Sequence, residues 1–170
     1  MPNHIFINKK IKNFKKIIRV SSDKSISIRS ILLASQAVGV SKISNLLESE
    51  DVINALKTIK KLGINYVKKK GIYHIEGFGL NGFNIKKKIK INAGNSGTLA
   101  RLILGLLVKS KFTIKLTGDK SLSKRDFSRV IKPLSFFGVK IKSKNYKLPI
   151  EIIGSDFLRP ITYDENIGSA

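Results

Sequence analysis

The order of apolar, glycine-bounded segments predicts an α/β (α+β) fold built from repeated βαβαββ units. Three observations lead there. The same succession of elements occurs twice along 170 residues. Landmark residues recur at a nearly constant offset: 72 positions from Arg29 to Arg101, 75 from Asp51 to Asp126 and from Gly63 to Gly138, and 77 from Gly77 to Gly154. Small insertions explain that drift. The composition, 42% hydrophobic without cysteine, suits a packed core held without disulfides.

In chain order, residues 4–7 and 17–20 read as short strands around a basic linker at 8–16. Hydroxyl residues then lead into a helix predicted over 25–38, with Ser25 at or near its N-cap and Gly39 as its C′ residue. Ile28, Ile31, Leu32 and Leu33 are its candidate core positions. A strand or turn follows at 41–47. Ser49-Glu50-Asp51 opens a second helix whose apolar stripe is Ile53, Leu56, Ile59 and Leu62, stopping at Gly63. Residues 65–67 and 72–76 read as a hairpin closing at Gly77. The second pass begins with a strand at 88–91, a loop at 92–97 and an apolar helix at 98–108. A strand at 112–116 and a helix at 125–137 come next, with Pro133 expected to kink or shorten that helix. Hairpin strands at 140–142 and 148–153 end at Gly154. The expected division is therefore an N-terminal strand and basic linker at 1–16, repeat units at 17–87 and 88–154, and the opening of a third, truncated unit at 155–170.

Charge narrows the function classes. Thirty-three basic residues against 11 acidic ones give a net charge of +22, which points to nucleic acid, membrane surfaces or anionic metabolites as partners. Only six of the cations are arginine: Arg19, Arg29, Arg101, Arg125, Arg129 and Arg159. Lysine runs beside Ile and Asn read as a compositional bias of solvated surface, whereas sparse arginines mark places that need a bidentate fork. The absence of cysteine excludes thiol nucleophiles and thiolate metal sites, and His4 and His74 have no neighbour at metal-ligand spacing. No apolar run reaches membrane-spanning length and Met1-Pro2-Asn3-His4 opens no signal peptide, so a cytoplasmic protein is expected.

Two helix starts carry anion chemistry. At the first, Lys24, Ser25 and Arg29 join the amide groups and positive dipole end of the helix, an arrangement that attracts phosphate or carboxylate. An ordinary capped helix with solvated cations is the alternative. At the second, Gly94-Asn95-Ser96-Gly97-Thr98 lets backbone amides approach an anion unobstructed. It is neither a P-loop nor a dinucleotide fingerprint. Arg101, one turn inside the helix, could brace the loop or touch ligand, and bracing is the expected role. The polar loop 117–124 delivers Arg125, either to a ligand or as a surface charge beside Asp126.

Taken together, Asp23-Lys24-Ser25-Ile26-Ser27-Ile28-Arg29, Gly94-Asn95-Ser96-Gly97-Thr98 with Arg101, and Leu116-Thr117-Gly118-Asp119 with Arg125 resemble, in order and spacing, the N-terminal part of the 5-enolpyruvylshikimate-3-phosphate synthase family. The resemblance spans about residues 17–170. It implies the inside-out barrel of enolpyruvyl transferases, in which three βαβαββ units make each of two domains, with about two units of one domain present here. It implies transfer of the carboxyvinyl group of phosphoenolpyruvate to the 5-hydroxyl of shikimate 3-phosphate, releasing phosphate, without metal or organic cofactor. By the same resemblance Lys24 contacts both substrates and is the catalytic candidate. Ser25, Arg29 and Ser169 hold shikimate 3-phosphate, Gly97 and Arg125 hold phosphoenolpyruvate, and Asn95, Thr98 and Arg101 support that loop. Two residues depart from the family pattern: Leu102 stands where many relatives have proline, and Ser96 where some have alanine.

The resemblance further implies an incomplete N-terminal portion, inactive in isolation and a monomer when full length, with neither nucleic acid nor a membrane as partner. A sibling carboxyvinyl transferase acting on a UDP-sugar is an alternative, but there the lysine is typically followed by asparagine, and here Ser25 follows Lys24. A basic nucleic-acid-binding module and a non-catalytic scaffold are the others. No RNP-like aromatic motif supports the module.

Overall fold

Asp23 starts the first helix, because its Oδ1 accepts the Ile26 amide at 2.7 Å and takes up one of the donors that a helix start leaves free. The computed structural model describes residues 6, 8, 10, 13, 15, 17, 18, 20–80 and 82–165. Within them α1 spans Lys24–Gln36, β1 Val38–Ile43, α2 Glu50–Lys61, β2 Asn65–Lys69 and β3 Ile72–Phe78. These are followed by β4 at Ile89–Asn92, α3 at Gly97–Leu106, β5 at Ile114–Thr117, a 3-10 turn at Leu122–Lys124, α4 at Ser128–Phe136, β6 at Lys140–Lys144 and β7 at Lys147–Ile153. No helix among the described residues is long and apolar enough to cross a membrane.

Two sheets form. The first has the order β1-β3-β2, all antiparallel. The second has the order β4-β5-β7-β6, in which β4 runs parallel to β5 and the other pairs are antiparallel. Strands β5-β7-β6 thus repeat the order and sense of β1-β3-β2. Among the described residues the first sheet has no counterpart to β4: Ile17, Ile18 and Val20 are exposed and lie in no strand, contrary to the expectation for 17–20. The side chains of these three residues bury little apolar surface to offset the entropy of ordering a strand. The strand expected at 4–7 lies outside the described residues except for Phe6.

The helices supply one continuous core beneath the sheets. Ile28 and Ile31 of α1, Ala55 and Ile59 of α2, and Leu99 and Ile103 of α3 are fully buried, together with Ile75, Ile91, Leu116 and Ile150 from the strands. Leu33 is exposed instead of buried, because it falls off the stripe set by Ile28, Ile31, Leu32 and Ser35. The first helix also ends earlier than expected, at Gln36. Gly39 serves inside β1, where its φ of +88° suits glycine, and pairs with Gly77 across the ladder.

Gly77 and Gly154 show why the landmarks recur. A Cβ on Gly77 would lie 2.4 Å from the carbonyl oxygens of Ala34 and Ala37, where α1 turns into β1. A Cβ on Gly154 would lie 2.4 Å from the Ser110 amide nitrogen and 2.5 Å from the Val108 carbonyl oxygen, in the turn from α3 to β5. Gly77 lies in β3 and Gly154 directly follows β7, and each passes over a helix-to-strand turn.

The fourth helix starts three residues later than expected. Arg125 is extended, with φ −72° and ψ 148°, and Asp126 accepts the Ser128 amide at 2.5 Å and its hydroxyl at 3.0 Å. This side-chain turn occupies the backbone that a helix from Arg125 would need. Pro133 lies inside α4, which ends three residues beyond it at Phe136.

Candidate active site

The site grows from two helix mouths and the loop that feeds α4. At the first mouth Asp23 is the N-cap in place of Ser25, and Lys24 becomes the first helical residue. Lys24 Nζ meets Asp51 Oδ2 at 2.9 Å, with the lysine side chain 51% and the aspartate 14% exposed. Asp51 belongs to the first turn of α2, so that turn faces the start of α1. Arg29 follows on the next turn of α1. Ser25 is half-buried and does not line the cavity that forms here.

At the second mouth Ser96 is buried and caps α3, its Oγ accepting the Leu99 amide at 3.2 Å. Gly94 has φ +58°, and a Cβ there would sit 2.4 Å from Asn54 Nδ2. The neighbouring loop packs against this one: the Ala93 amide donates to Thr117 O at 2.9 Å and the Asp119 amide to Gly94 O at 2.8 Å. Asp119 Oδ1 then accepts the Leu122 amide at 2.6 Å, opening the 3-10 turn that ends at Arg125. Arg125 Nη2 donates to Asn95 Oδ1 at 2.9 Å. Arg101 Nη2 donates to Asp126 O at 3.0 Å, and its guanidinium lies 4.9 Å from the centre of the Phe127 ring, a bracing geometry. The Asp126 carboxyl is held below its usual range, first by the amide and hydroxyl of Ser128, with Lys132 and Arg101 adding to it.

Gly97 is the meeting point. A Cβ there would be 2.9 Å from both Arg101 Nη1 and Arg125 Nη1, so the missing side chain is what lets two guanidinium groups approach the start of α3. The two mouths open onto one cavity of about 630 Å³. Lys24, Arg29, Arg101 and Arg125 line it against two carboxylates, Glu50 and Asp51, with Asn95, Gly97 and Thr98 at one end. First-turn amides of a helix have no carbonyl four residues earlier to bond, so they add donors to the cations. Four cations and two helix starts against two carboxylates give the cavity a surplus of positive charge that can attract an anion.

Of the residues expected to act together, Lys24, Arg29, Asn95, Gly97, Thr98, Arg101 and Arg125 share this cavity. Ser25 stands beside it, and Ser169 lies outside the described residues. Sequence reasoning took Glu50 and Asp51 only as helix-start acids and left Leu102 without a role in the cavity, yet all three line it. Acids in a first turn are common for dipole reasons alone, so the sequence held no signal that singled them out.

The α/β assembly thus sets two helix mouths, four cations and two carboxylates around one cavity, a charged site of the kind that attracts anions. Residues 8–170 match the model of the family described as EPSP synthase (3-phosphoshikimate 1-carboxyvinyltransferase), and the chain belongs to that family. It is 44% identical over 165 residues to the 3-phosphoshikimate 1-carboxyvinyltransferase of Ruthia magnifica subsp. Calyptogena magnifica, covering 97% of this chain and 38% of the relative. It is 46% identical over 153 residues to the protein of the same name from Vesicomyosocius okutanii subsp. Calyptogena okutanii, covering 90% and 35%. The solved EPSP synthase from Acinetobacter baumannii superposes with a TM-score of 0.81 at 36% identity, over 90% of this chain and 35% of that one. The chain therefore spans a little over a third of the length of these relatives.

Proposed function

We propose that the cavity is the part this chain contributes to a carboxyvinyl transfer site, where phosphoenolpyruvate meets the 5-hydroxyl of shikimate 3-phosphate and phosphate is released. The observation that carries the reading is the convergence of Lys24, Arg29 and Arg125 on one cavity in a member of this family. Both substrates are multiply anionic and repel each other. Fixed cations and helix mouths offset that repulsion and the charge that develops on the transferring group. In this reading Lys24 touches both substrates. Arg29, Ser25 and Ser169 hold shikimate 3-phosphate, Arg125 and Gly97 hold phosphoenolpyruvate, and Asn95, Thr98 and Arg101 keep the loop in place. Arg101 fits the supporting role because its guanidinium is spent on Asp126 O and Phe127.

We further propose a division of the chain into units at 17–87 and 88–154, with 155–170 opening a third. The parallel between β1-β3-β2 and β5-β7-β6 supports it. The full-length protein is proposed to act in the cytoplasm as a monomer, and the 170-residue chain to bind without turnover. Calorimetry with shikimate 3-phosphate at fixed salt tests the substrate assignment. Loss of one charge-assisted contact costs about 1.5–3 kcal/mol, so Arg29→Ala is expected to weaken binding by roughly ten- to a hundredfold. Arg125→Ala leaves it nearly unchanged. Equal losses in the two variants would mean that diffuse positive charge, not a defined site, holds the ligand.

A further inference from the structure

We propose that Asp51 is a positioning residue for Lys24, holding the lysine ammonium at the cavity so that an anionic substrate meets it already aimed; this rests on the substrate reading above. Lysine is a compact charge on a flexible stem, and Lys24 is half-exposed. Arg29, Arg101 and Arg125 share its cavity and repel its like charge. Asp51 opposes that repulsion at 2.9 Å. It is anchored on the first turn of a 12-residue helix, whose start favours an ionised carboxylate. Lys24 and Asp51 make no other ion pair among the described residues. The next turn of the same helix brings Asn54 against Gly94, so α2 spaces Lys24 from the glycine loop of α3. Residues 51 and 54 lie on one helix face.

Simple electrostatics gives the opposite sign for Asp51. Removing a negative charge from an anion-binding cavity should tighten binding, whereas removing a positioning carboxylate should weaken it. Glu50 supplies the contrast, since it lines the same cavity and makes no ion pair among the described residues.

Two measurements on the 170-residue chain test this in wild type, Asp51→Ala, Asp51→Asn and Glu50→Gln, each first checked for folding by its melting temperature. The first is the rate at which an amine-acetylating reagent modifies Lys24, mapped by mass spectrometry against exposed Lys57. Asp51→Ala is expected to speed Lys24 labelling several-fold and leave Lys57 alone. The second is calorimetry with shikimate 3-phosphate. Asp51→Ala is expected to weaken binding by about tenfold, the size of one charge-assisted contact. Asp51→Asn, whose amide oxygen still accepts from the ammonium, should recover part of that loss, while Glu50→Gln should tighten binding. Unchanged Lys24 labelling in Asp51→Ala, or tighter binding in that variant, overturns the proposal. If wild type does not bind shikimate 3-phosphate the substrate reading falls, and the labelling contrast still decides whether Asp51 holds Lys24.

Discussion

Gly97→Ala separates binding from folding, and the structure gives the size of both effects. The added Cβ would lie 2.9 Å from Arg101 Nη1 and from Arg125 Nη1, against an ordinary carbon contact of about 3.5–4.0 Å. Each guanidinium must therefore retreat by roughly half an ångström or more. Both are tips of flexible side chains, so the backbone need not move. Alanine also favours the helix over glycine by about 0.5–1 kcal/mol, and the net change in stability is expected to stay within about 1 kcal/mol. Binding is different. Arg125 holds Asn95 at 2.9 Å, and that bond leaves the range of about 2.7–3.2 Å once the tip shifts. A misaimed charge-assisted contact costs about 1.5–3 kcal/mol, or roughly ten- to a hundredfold in affinity. Calorimetry should show phosphoenolpyruvate binding weakened to that extent, shikimate 3-phosphate binding retained, and urea unfolding nearly unchanged. Unaltered phosphoenolpyruvate affinity would refute the placement of that ligand at Gly97. A stability loss well above 1 kcal/mol would refute the argument that the arginines yield.

Other outcomes test the frame that carries the site. Gly77→Ala presses a Cβ to 2.4 Å from two backbone oxygens that cannot rotate away, so chemical denaturation should show a loss of about 1–3 kcal/mol or more. Gly105→Ala, at an exposed position of α3 with nothing within 4 Å, should instead gain about 0.5–1 kcal/mol. Asp23→Ala removes the cap of α1 and is expected to cost about 1 kcal/mol in the same assay, with weaker shikimate 3-phosphate binding because Lys24 and Arg29 ride on that helix. The depressed Asp126 carboxyl stabilises the fold above the ordinary carboxylate value, and that contribution is lost as pH falls through the lower, folded-state value. Thermal melts of Asp126→Ala should therefore lie below wild type at neutral pH, and the gap should close as pH drops from about 4. A gap that widens in acid would reverse the sign of this argument.

What could be read from the residues were features that one element settles alone. The helix α2, with acids in its first turn and Gly63 just past its end, and the β2–β3 and β6–β7 hairpins follow from local pattern, and the structure has them within a few residues. What escaped was chemistry with two local solutions. An aspartate before a helix can cap it or close a side-chain turn short of it, and Asp126 does the second, which moved α4 from Arg125 to Ser128. A glycine with positive φ can end a helix or bend a strand, and Gly39 does the second. The cations of the site were legible because a basic residue at a helix mouth has a chemical reason to be there. Their carboxylate partner was not, since Asp51 meets Lys24 only through the packing of α2 on α1.

The same distinction explains how two related helix starts come to do different work. Arg29 and Arg101 stand 72 positions apart, each in the early turns of a helix that follows a predicted or observed strand. Arg29 makes no hydrogen bond or ion pair among the described residues and lines the cavity, where the proposed function has it hold an anion. Arg101 lines the cavity too, but its guanidinium is tied to Asp126 O and stacked on buried Phe127. The tie exists because the loop 117–127 folds back over α3, bringing Arg125 to Asn95 as it does so. Under the proposed function, Arg101 is committed to the loop while Arg125 is left to meet ligand. A charge-preserving Arg101→Lys change tests that trade: a single ammonium cannot both stack on the ring and reach the Asp126 carbonyl in the guanidinium plane. The expected result is weaker phosphoenolpyruvate binding with shikimate 3-phosphate binding unchanged by calorimetry. Equal weakening of both would show that Arg101 contacts ligand directly instead of acting through Arg125.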